Sequence, residues 1–204
     1  VPQKMIRAFG GTTLMDICLE KLKGSKVIPE ENIFASVYEK ELVNIAKKHK
    51  INVFNRSKES ADSEGTPMSL MYEWWNKLPY KYCILVSACA PFLSLSTIED
   101  FYKKYLKIEK QGLFGVVEKK NYFWNKQHAL VTPWPEGQSV MNTKFVESTY
   151  EAAHCLYAGN MKLIGEGIWM GNFSKPGDIE LYNMKEKEVF DIDYEWQFSY
   201  YEKL

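Results

Sequence analysis

A three-layer α/β/α sandwich with a mostly parallel sheet is the fold that the sequence predicts, and three observations predict it. Short apolar runs alternate with stretches of helical period through the first half of the chain. One of those runs, "YCILVSA" at 82–88, is nearly continuous in apolar character, as a strand buried on both faces is. Beyond residue 110, strand signals crowd together with little helix between them, which adds an irregular, strand-rich portion to the alternating core. The 204 residues fit one domain over 1–204 with a single large core, and no internal repeat or linker divides them.

Taken in order, "TTLMDICLEKLK" opens with Thr13 and Asp16 at capping-box-like spacing. Leu14, Ile17, Cys18 and Leu22 follow at helical period, so a helix is expected over 13–23, ended by an ordinary turn at Gly24 to Lys26. "NIFASV" at 32–37 reads as a strand. "EKELVNIAKKHK" reads as a helix with acids first and bases last, as the helix dipole prefers, and "INVFN" is a second strand. The polar stretch 56–67, "RSKESADSEGTP", is a loop, and "SLMYEWWNKL" is helical. After the apolar strand at 82–88, Ser96 and Glu99 repeat the capping logic and predict a helix to about 108. "LFGVVEK", "YFWNK" and "ALVTPW" are successive strand candidates, and "VFDIDYEWQF" at 189–198 closes the series.

Composition narrows the function. Lys and Arg together number 26, as do Asp and Glu, so no global basic field argues for nucleic acid or an anionic membrane, and an anionic ligand must be held by local groups. The 13 Tyr, 11 Phe and 6 Trp suit a packed globule and exclude a disordered chain. Cys18, Cys83, Cys89 and Cys155 lie far apart with no CxxC pair, which favours neither a zinc site nor a disulfide framework and makes a reducing compartment the default. No run approaches the ~18 apolar residues of a membrane span, and no signal peptide is recognisable; a cytoplasmic protein is expected. The opening "VPQK" reads as the end of a loop begun upstream.

The chemistry concentrates in "VFDIDYEWQF". On a strand, alternate side chains share a face, so Asp191 and Asp193 point one way and Ile192 points into the core. Two converging carboxylates repel each other and resist desolvation, and a divalent cation is the usual partner that relieves both. The plainer reading is a solvated acidic turn. In open α/β sheets, ligands bind beyond the carboxyl ends of strands, and loops carrying Arg56, Ser87 to Pro91 and Asp191 each follow a predicted strand.

The stretch "VPQKMIRAFGGTTLMDICLEKL" resembles the start of the acylneuraminate cytidylyltransferase (CMP-sialic acid synthetase-like) family, in which a Gly-rich loop runs through a Pro-x-Lys-Asn segment into a helix. Pro2, Lys4 and Ile6 match its second half. "NIFASVYEKELVNIAKKHKINVFNR", "CILVSACAPFLSLSTIEDF" and "VFDIDYEWQF" are similar to the family's later strands, loops and metal-binding segment in the same order, so the resemblance spans nearly the whole chain. "GSKVIPEENI" imitates the phosphate loop, but it follows a helix and precedes a strand, the reverse of what an anion-cradling loop needs.

The resemblance implies a nucleotide-diphospho-sugar transferase-like fold and a Mg²⁺-dependent cytidylyltransferase that moves CMP from CTP to an acidic 2-keto sugar of the nonulosonate type, releasing pyrophosphate. It implies Lys4, Asp191 and Asp193 as catalytic residues, with the two aspartates as metal ligands. Lys4, Arg56, Gly65 and Thr66 would contact the nucleotide and Ser87 and Lys144 the sugar, in a homodimer. The sequence departs from the family pattern in places. Met5 replaces an Asn, Asn142 to Lys144 stand where Arg-Gln is usual, and Ala153-His154 replace an Asn-Gly pair. His154 is read as a partly buried structural histidine. Two rival functions stay open: a catalytically degenerate nucleotide- or sugar-binding module, and a nucleotidyltransferase for a different acceptor.

Overall fold

The computed structural model describes residues 1–62 and 64–203; Ser63, inside the polar loop at 56–67, lies outside the described residues. The chain begins with a turn and a miniature hairpin, β1 (Ala8–Phe9) and β2 (Thr12–Thr13), joined by Gly10 and Gly11 at φ of 56° and 80°. Two consecutive positive φ values are what a tight primed turn demands, and glycine adopts them without a Cβ clash. Helix α1 (Leu14–Lys23) follows at once. The Thr13 hydroxyl caps it by accepting the Asp16 N–H at 3.0 Å, and the Gly24 N–H closes it on the Glu20 and Lys21 carbonyls.

Strand β3 (Phe34–Val37), helix α2 (Lys40–Lys48) and strand β4 (Asn52–Asn55) make a parallel βαβ unit in which Phe34 lies opposite Asn52 and Val37 opposite Asn55. Its core gathers Ala35, Val37, Ala46 and Ile51 with Met15 and Leu19 of α1. Two single-turn helices, α3 (Lys58–Ala61) and α4 (Met68–Met71), and a 3₁₀ turn at Glu73–Asn76 lead to strand β5 (Tyr82–Val86) and helix α5 (Leu95–Tyr105). Strands β6 (Gly112–Lys119) and β7 (Thr149–Asn160), helix α6 (Met161–Gly165), strand β8 (Ile179–Asn183) and helix α7 (Glu195–Tyr201) complete the chain.

The larger sheet has the order β5-β7-β6-β8. Alternation along β5 sends Ile84 and Val86 to one face, against Ile98 and Phe101 of α5, and Cys83 and Leu85 to the other, against Trp74 and residues Met161 and Ile164 of α6. Helices therefore cover both faces, the three-layer arrangement that the sequence predicts. Phe101 is fully buried, and burial of that kind stabilises the fold by about 1.5–3 kcal/mol relative to leaving the ring in water.

Several details differ from expectation. The strands ending near Ser36 and Ser87 do not share a sheet: β3 pairs only with β4, while β5 pairs with β7. Within the larger sheet β7 runs antiparallel to both of its neighbours and only β6 and β8 are parallel, so that sheet is mixed. Residues 189–193 form no strand; the Ile192 N–H is held instead by the Cys89 carbonyl at 3.2 Å. "YFWNK" and "ALVTPW" reduce to a single bridge between Trp124 and Leu130, because Pro133 and Pro135 cannot donate to a ladder. Helix α5 is capped by Ser94, two residues before the expected Ser96. Glu99 is engaged elsewhere, accepting the Ser25 hydroxyl at 2.7 Å and the Lys26 N–H at 3.2 Å.

Candidate functional site

The first and last segments of the chain meet, and the meeting builds the site. Met5 packs with Phe9, Leu14, Ile192, Phe198 and Tyr201, while the Arg7 guanidinium lies over the Phe198 ring at 4.3 Å and pairs with Glu195. Ile192 is completely buried in this cluster. The chain on either side of it turns outward, so the alternation expected of a strand survives in an irregular segment: Asp191 is half-buried and Asp193 is exposed.

Lys4 lies between them. Its ammonium donates to the Ile192 carbonyl at 2.7 Å and to Asp193 Oδ1 at 3.0 Å, and it stands 4.0 Å from Asp191 Oδ1. Burial by itself lowers the Lys4 pKa. The hydrogen bond to Asp193 and the nearby Cys89 and Asp191 outweigh that, and the net shift is upward, so Lys4 stays cationic. Asp191 moves the other way for a carboxylate: burial raises its pKa, Lys4 opposes the rise, and the Asp193 charge adds to it. Asp191 Oδ1 is buried and has no hydrogen-bond partner among the described residues. An orphaned buried carboxylate oxygen of this kind is costly, and a bound cation is one group that would relieve it.

The two carboxylates suit a hard cation. Mg²⁺ takes one or two carboxylates and completes its shell with water and phosphate oxygens. Among the described residues no cluster of three or more His, Cys, Asp and Glu is arranged to hold a metal by itself, so any ion here depends on a ligand's oxygens. The loop after β5 closes the other side. The Ser87 hydroxyl accepts the Cys89 N–H at 3.2 Å, and Cys89 Sγ lies 3.7 Å from Met5 Sδ. Met5 therefore acts as packing where the resemblance leads one to expect an Asn. All four cysteines are free thiols, and burial pushes Cys18 up to about 11 and Cys83 up to about 12, which keeps them unreactive.

The remaining candidates are distributed unevenly. Ser87 lines a cavity of about 170 Å³ together with Tyr72, His154, Tyr157 and Trp169. The Arg56 guanidinium is committed to the Ser60 hydroxyl at 3.0 Å, the Ser60 carbonyl and the Met71 carbonyl at 3.3 Å, which staples α3 to the end of α4. It still lies close enough to Tyr72 to work against the burial that raises that phenol. Gly65, at φ of 74°, and Thr66, whose hydroxyl donates to the Glu59 carbonyl at 3.4 Å, belong to the exposed end of the same loop. Lys144 sits on an exposed turn whose backbone is capped by Asn142, and no described ion pair engages it. Lys26 donates its backbone N–H to Glu99 at 3.2 Å. Cys89 and the aromatic wall of Tyr72, Tyr157 and Trp169 carry no sequence signal of their own; only the folded chain collects them.

Solved structures share the fold. The structure of 4-diphosphocytidyl-2C-methyl-D-erythritol synthase from Anaerococcus prevotii is similar to it at a TM-score of 0.66 and 12% identity, over 98% of this chain and 91% of that one. The structure of CMP:2-keto-3-deoxy-manno-octonic acid synthetase complexed with CTP is similar at a TM-score of 0.61 and 7% identity, over 90% and 84%. A cytidylyltransferase from Leptospira borgpetersenii matches at 0.55 and 14%, over 92% and 71%. These likenesses establish the nucleotide-diphospho-sugar transferase-like fold. No curated protein sequence matches the chain. The family model described as Cytidylyltransferase matches residues 1–163, most of the sequence, and on that match the chain belongs to the cytidylyltransferase family.

Proposed function

We propose that the protein transfers CMP from CTP to an acidic 2-keto sugar of the nonulosonate type and releases pyrophosphate. The observation that carries the proposal is the convergence of one cationic lysine and two carboxylates, one of them with an orphaned buried oxygen, where the first and last segments of the chain meet. In the reaction a hydroxyl oxygen of the acceptor attacks the α-phosphorus of CTP, the bond to the bridging oxygen of the departing pyrophosphate breaks, and negative charge builds on the phosphate oxygens. Asp191 and Asp193 would hold a divalent cation, Mg²⁺ by donor chemistry, which supplies charge neutralisation on the triphosphate. Lys4 exchanges its contact with Asp193 for triphosphate oxygens, so that a charge already fixed by Ile192 and kept protonated opposes the developing anion. Arg56, Gly65 and Thr66 are assigned to the nucleotide side, and Ser87 and Lys144 to the acceptor.

The same reading makes the protein a homodimer. The segment after β6 exposes Phe123, Trp124, Val131, Val140, Met141 and Phe145, an apolar patch of the sort that marks an interface.

The experiment is pyrophosphate release from CTP with Mg²⁺ and a panel of 2-keto sugar acids, for wild type and Asp193→Ala. Asp193 is exposed, so the variant should melt within a degree or two of wild type while turnover falls on the order of 10²-fold or more. Undiminished turnover in the variant would defeat the assignment. Folded wild type that binds CTP without turning it over would favour the degenerate binding module.

A further inference from the structure

Strand β7 is interrupted where it passes the site. Against β6 its register runs Phe114 opposite Tyr157 and then Val116 opposite Ala152, so two steps on one strand meet five on the other. The surplus lies at 153–156, while the far side of the same stretch keeps its ladder: Val86 pairs with Leu156, and the Ser87 N–H donates to the Cys155 carbonyl at 2.9 Å. Bulges of this type re-aim side chains and are over-represented beside active sites. His154 lies within it at φ of 54°, a left-handed conformation that non-glycine residues adopt at a cost and that clusters at functional sites.

The displaced imidazole is anchored. Its Nδ1 lies 3.0 Å from the Tyr157 hydroxyl, and Tyr157 is fixed by edge contacts with Phe114 at 5.4 Å and Trp169 at 5.9 Å. Burial pushes the Tyr157 phenol up to about 12, so it keeps its proton. In the tautomer in which that hydroxyl donates to Nδ1, the ring proton sits on Nε2, the corner left free for a ligand. His154 lines the cavity beside Ser87. Across the cavity Tyr72 and Trp169 lie 4.7 Å apart and form an aromatic wall. Among the described residues no lysine or arginine lines it. A phosphate dianion is matched by cationic or multiple N–H donors, whereas a hydroxylated ring needs an apolar wall for its C–H face and single donors for its hydroxyl and keto oxygens.

We propose that His154 is a substrate-binding residue of the acceptor pocket, its ring held through Nδ1 by Tyr157 so that Nε2 engages an oxygen of an unphosphorylated, hydroxylated 2-keto acid that lies against Tyr72 and Trp169. The assignment rests on the cytidylyltransferase reading above and adds to it the residue and the pocket that select the acceptor. It also gives the replacement of the expected Gly by His a purpose, since the strained backbone is what carries the ring into the pocket.

The test measures binding, apart from turnover. The full chain, as wild type, His154→Gly, His154→Asn and Tyr157→Phe, is titrated calorimetrically with 2-keto-3-deoxy-manno-octonic acid and other 2-keto sugar acids, with glycerol 3-phosphate as a polyol phosphate, and separately with CTP. At least one acid should bind wild type, and His154→Gly should weaken it about tenfold, equivalent to about 1.4 kcal/mol. Tyr157→Phe should weaken it by a smaller factor, and CTP affinity should stay within about twofold of wild type. His154→Asn tolerates the left-handed backbone, and if it matches the glycine variant then loss of the imidazole, not loosening of the bulge, is responsible. Unchanged acid binding in His154→Gly, a preference for glycerol 3-phosphate, or no acid binding to wild type would each overturn the proposal. Loss of CTP binding by wild type would instead remove the cytidylyltransferase reading, while the acid titrations still decide the role of His154.

Discussion

Asp16 offers the sharpest quantitative prediction because every contact that sets its energy is visible. It is buried at the start of α1, where Oδ2 accepts the Thr13 hydroxyl at 2.6 Å and Oδ1 meets His49 Nε2 at 2.7 Å and the Lys48 ammonium at 3.2 Å. Burial raises its pKa, but the Thr13, His49 and Lys48 contacts together outweigh that and bring it from the ordinary 3.8 to about 2. At 1.36 kcal/mol per unit, that depression corresponds to about 2 kcal/mol of folding stability from the ionised group. Because the folded pKa is the lower one, the contribution is complete above the unfolded value and is lost as the pH falls from about 4 toward about 2. Asp16→Asn should therefore cost about 2 kcal/mol at pH 7, and the gap to wild type should close through that acid window. Urea unfolding of both proteins at a series of pH values measures it. Parallel curves for the two proteins, with a constant gap down to pH 2.5, would show that the network does not depend on the Asp16 charge.

Four further outcomes are expected. Lys4→Ala should abolish Mg²⁺-dependent CTP turnover while Lys26→Ala leaves it near wild type, and the opposite result in a pyrophosphate assay would place the triphosphate at the wrong loop. Ile192→Ala should cost about 2–5 kcal/mol in urea unfolding, because its side chain is completely buried among Phe9, Leu14, Phe198 and Tyr201; a loss below about 1 kcal/mol would mean that cluster collapses around the gap. N-acetylneuraminate should be a poor acceptor in a panel of 2-keto sugar acids, since Asn142 to Lys144 replace the family's Arg-Gln pair, and efficient turnover would refute this. Asp191→Asn should melt at or above the wild-type temperature without ligand, because the cost of a buried, unpartnered carboxylate disappears, and should lose the stabilisation that Mg²⁺ and CTP give wild type; a drop of several degrees without ligand would make Asp191 a structural residue.

Local signals were the legible part. Thr13 and Asp16 announced α1 because a cap and its first turn interact over three residues, and the in-and-out order of Asp191, Ile192 and Asp193 depended only on a locally non-helical chain anchored by one buried isoleucine. The pairing of Lys4 with those aspartates joins residues nearly the whole chain apart, and the family pattern, not the local sequence, pointed to it. What stayed hidden was decided by distant partners. Nothing near Arg56 says that its guanidinium will bind the Ser60 and Met71 carbonyls, and nothing near Ser94 says that Glu188 will support it as the cap in place of Ser96. The bulge in β7 arises from a mismatch with β6, a strand more than thirty residues earlier, so His154 read as an ordinary structural histidine. Strand partners were the weakest inference for the same reason: a buried run such as 82–88 identifies a strand without saying whether its neighbour runs parallel or antiparallel.

Two aspartates show how the structure separates framework from function. Asp16 and Asp191 each lie close to a lysine, and a reading based on charge alone would treat them as equivalent ion pairs. Their surroundings shift them in opposite directions, Asp16 down and Asp191 up. The difference is satisfaction. Asp16 has partners on both oxygens and pays back its burial, whereas Asp191 keeps one buried oxygen without a partner, 4.0 Å from an ammonium that prefers the Ile192 carbonyl and Asp193. A carboxylate left in that state opposes folding, and it persists in a stable protein where binding a ligand recovers the cost. The burial of Ile192 anchors the backbone that carries Asp191. That unsatisfied oxygen, beside a lysine held in its charged form, is the physical ground for the proposal that the triphosphate and its cation bind at this end of the molecule.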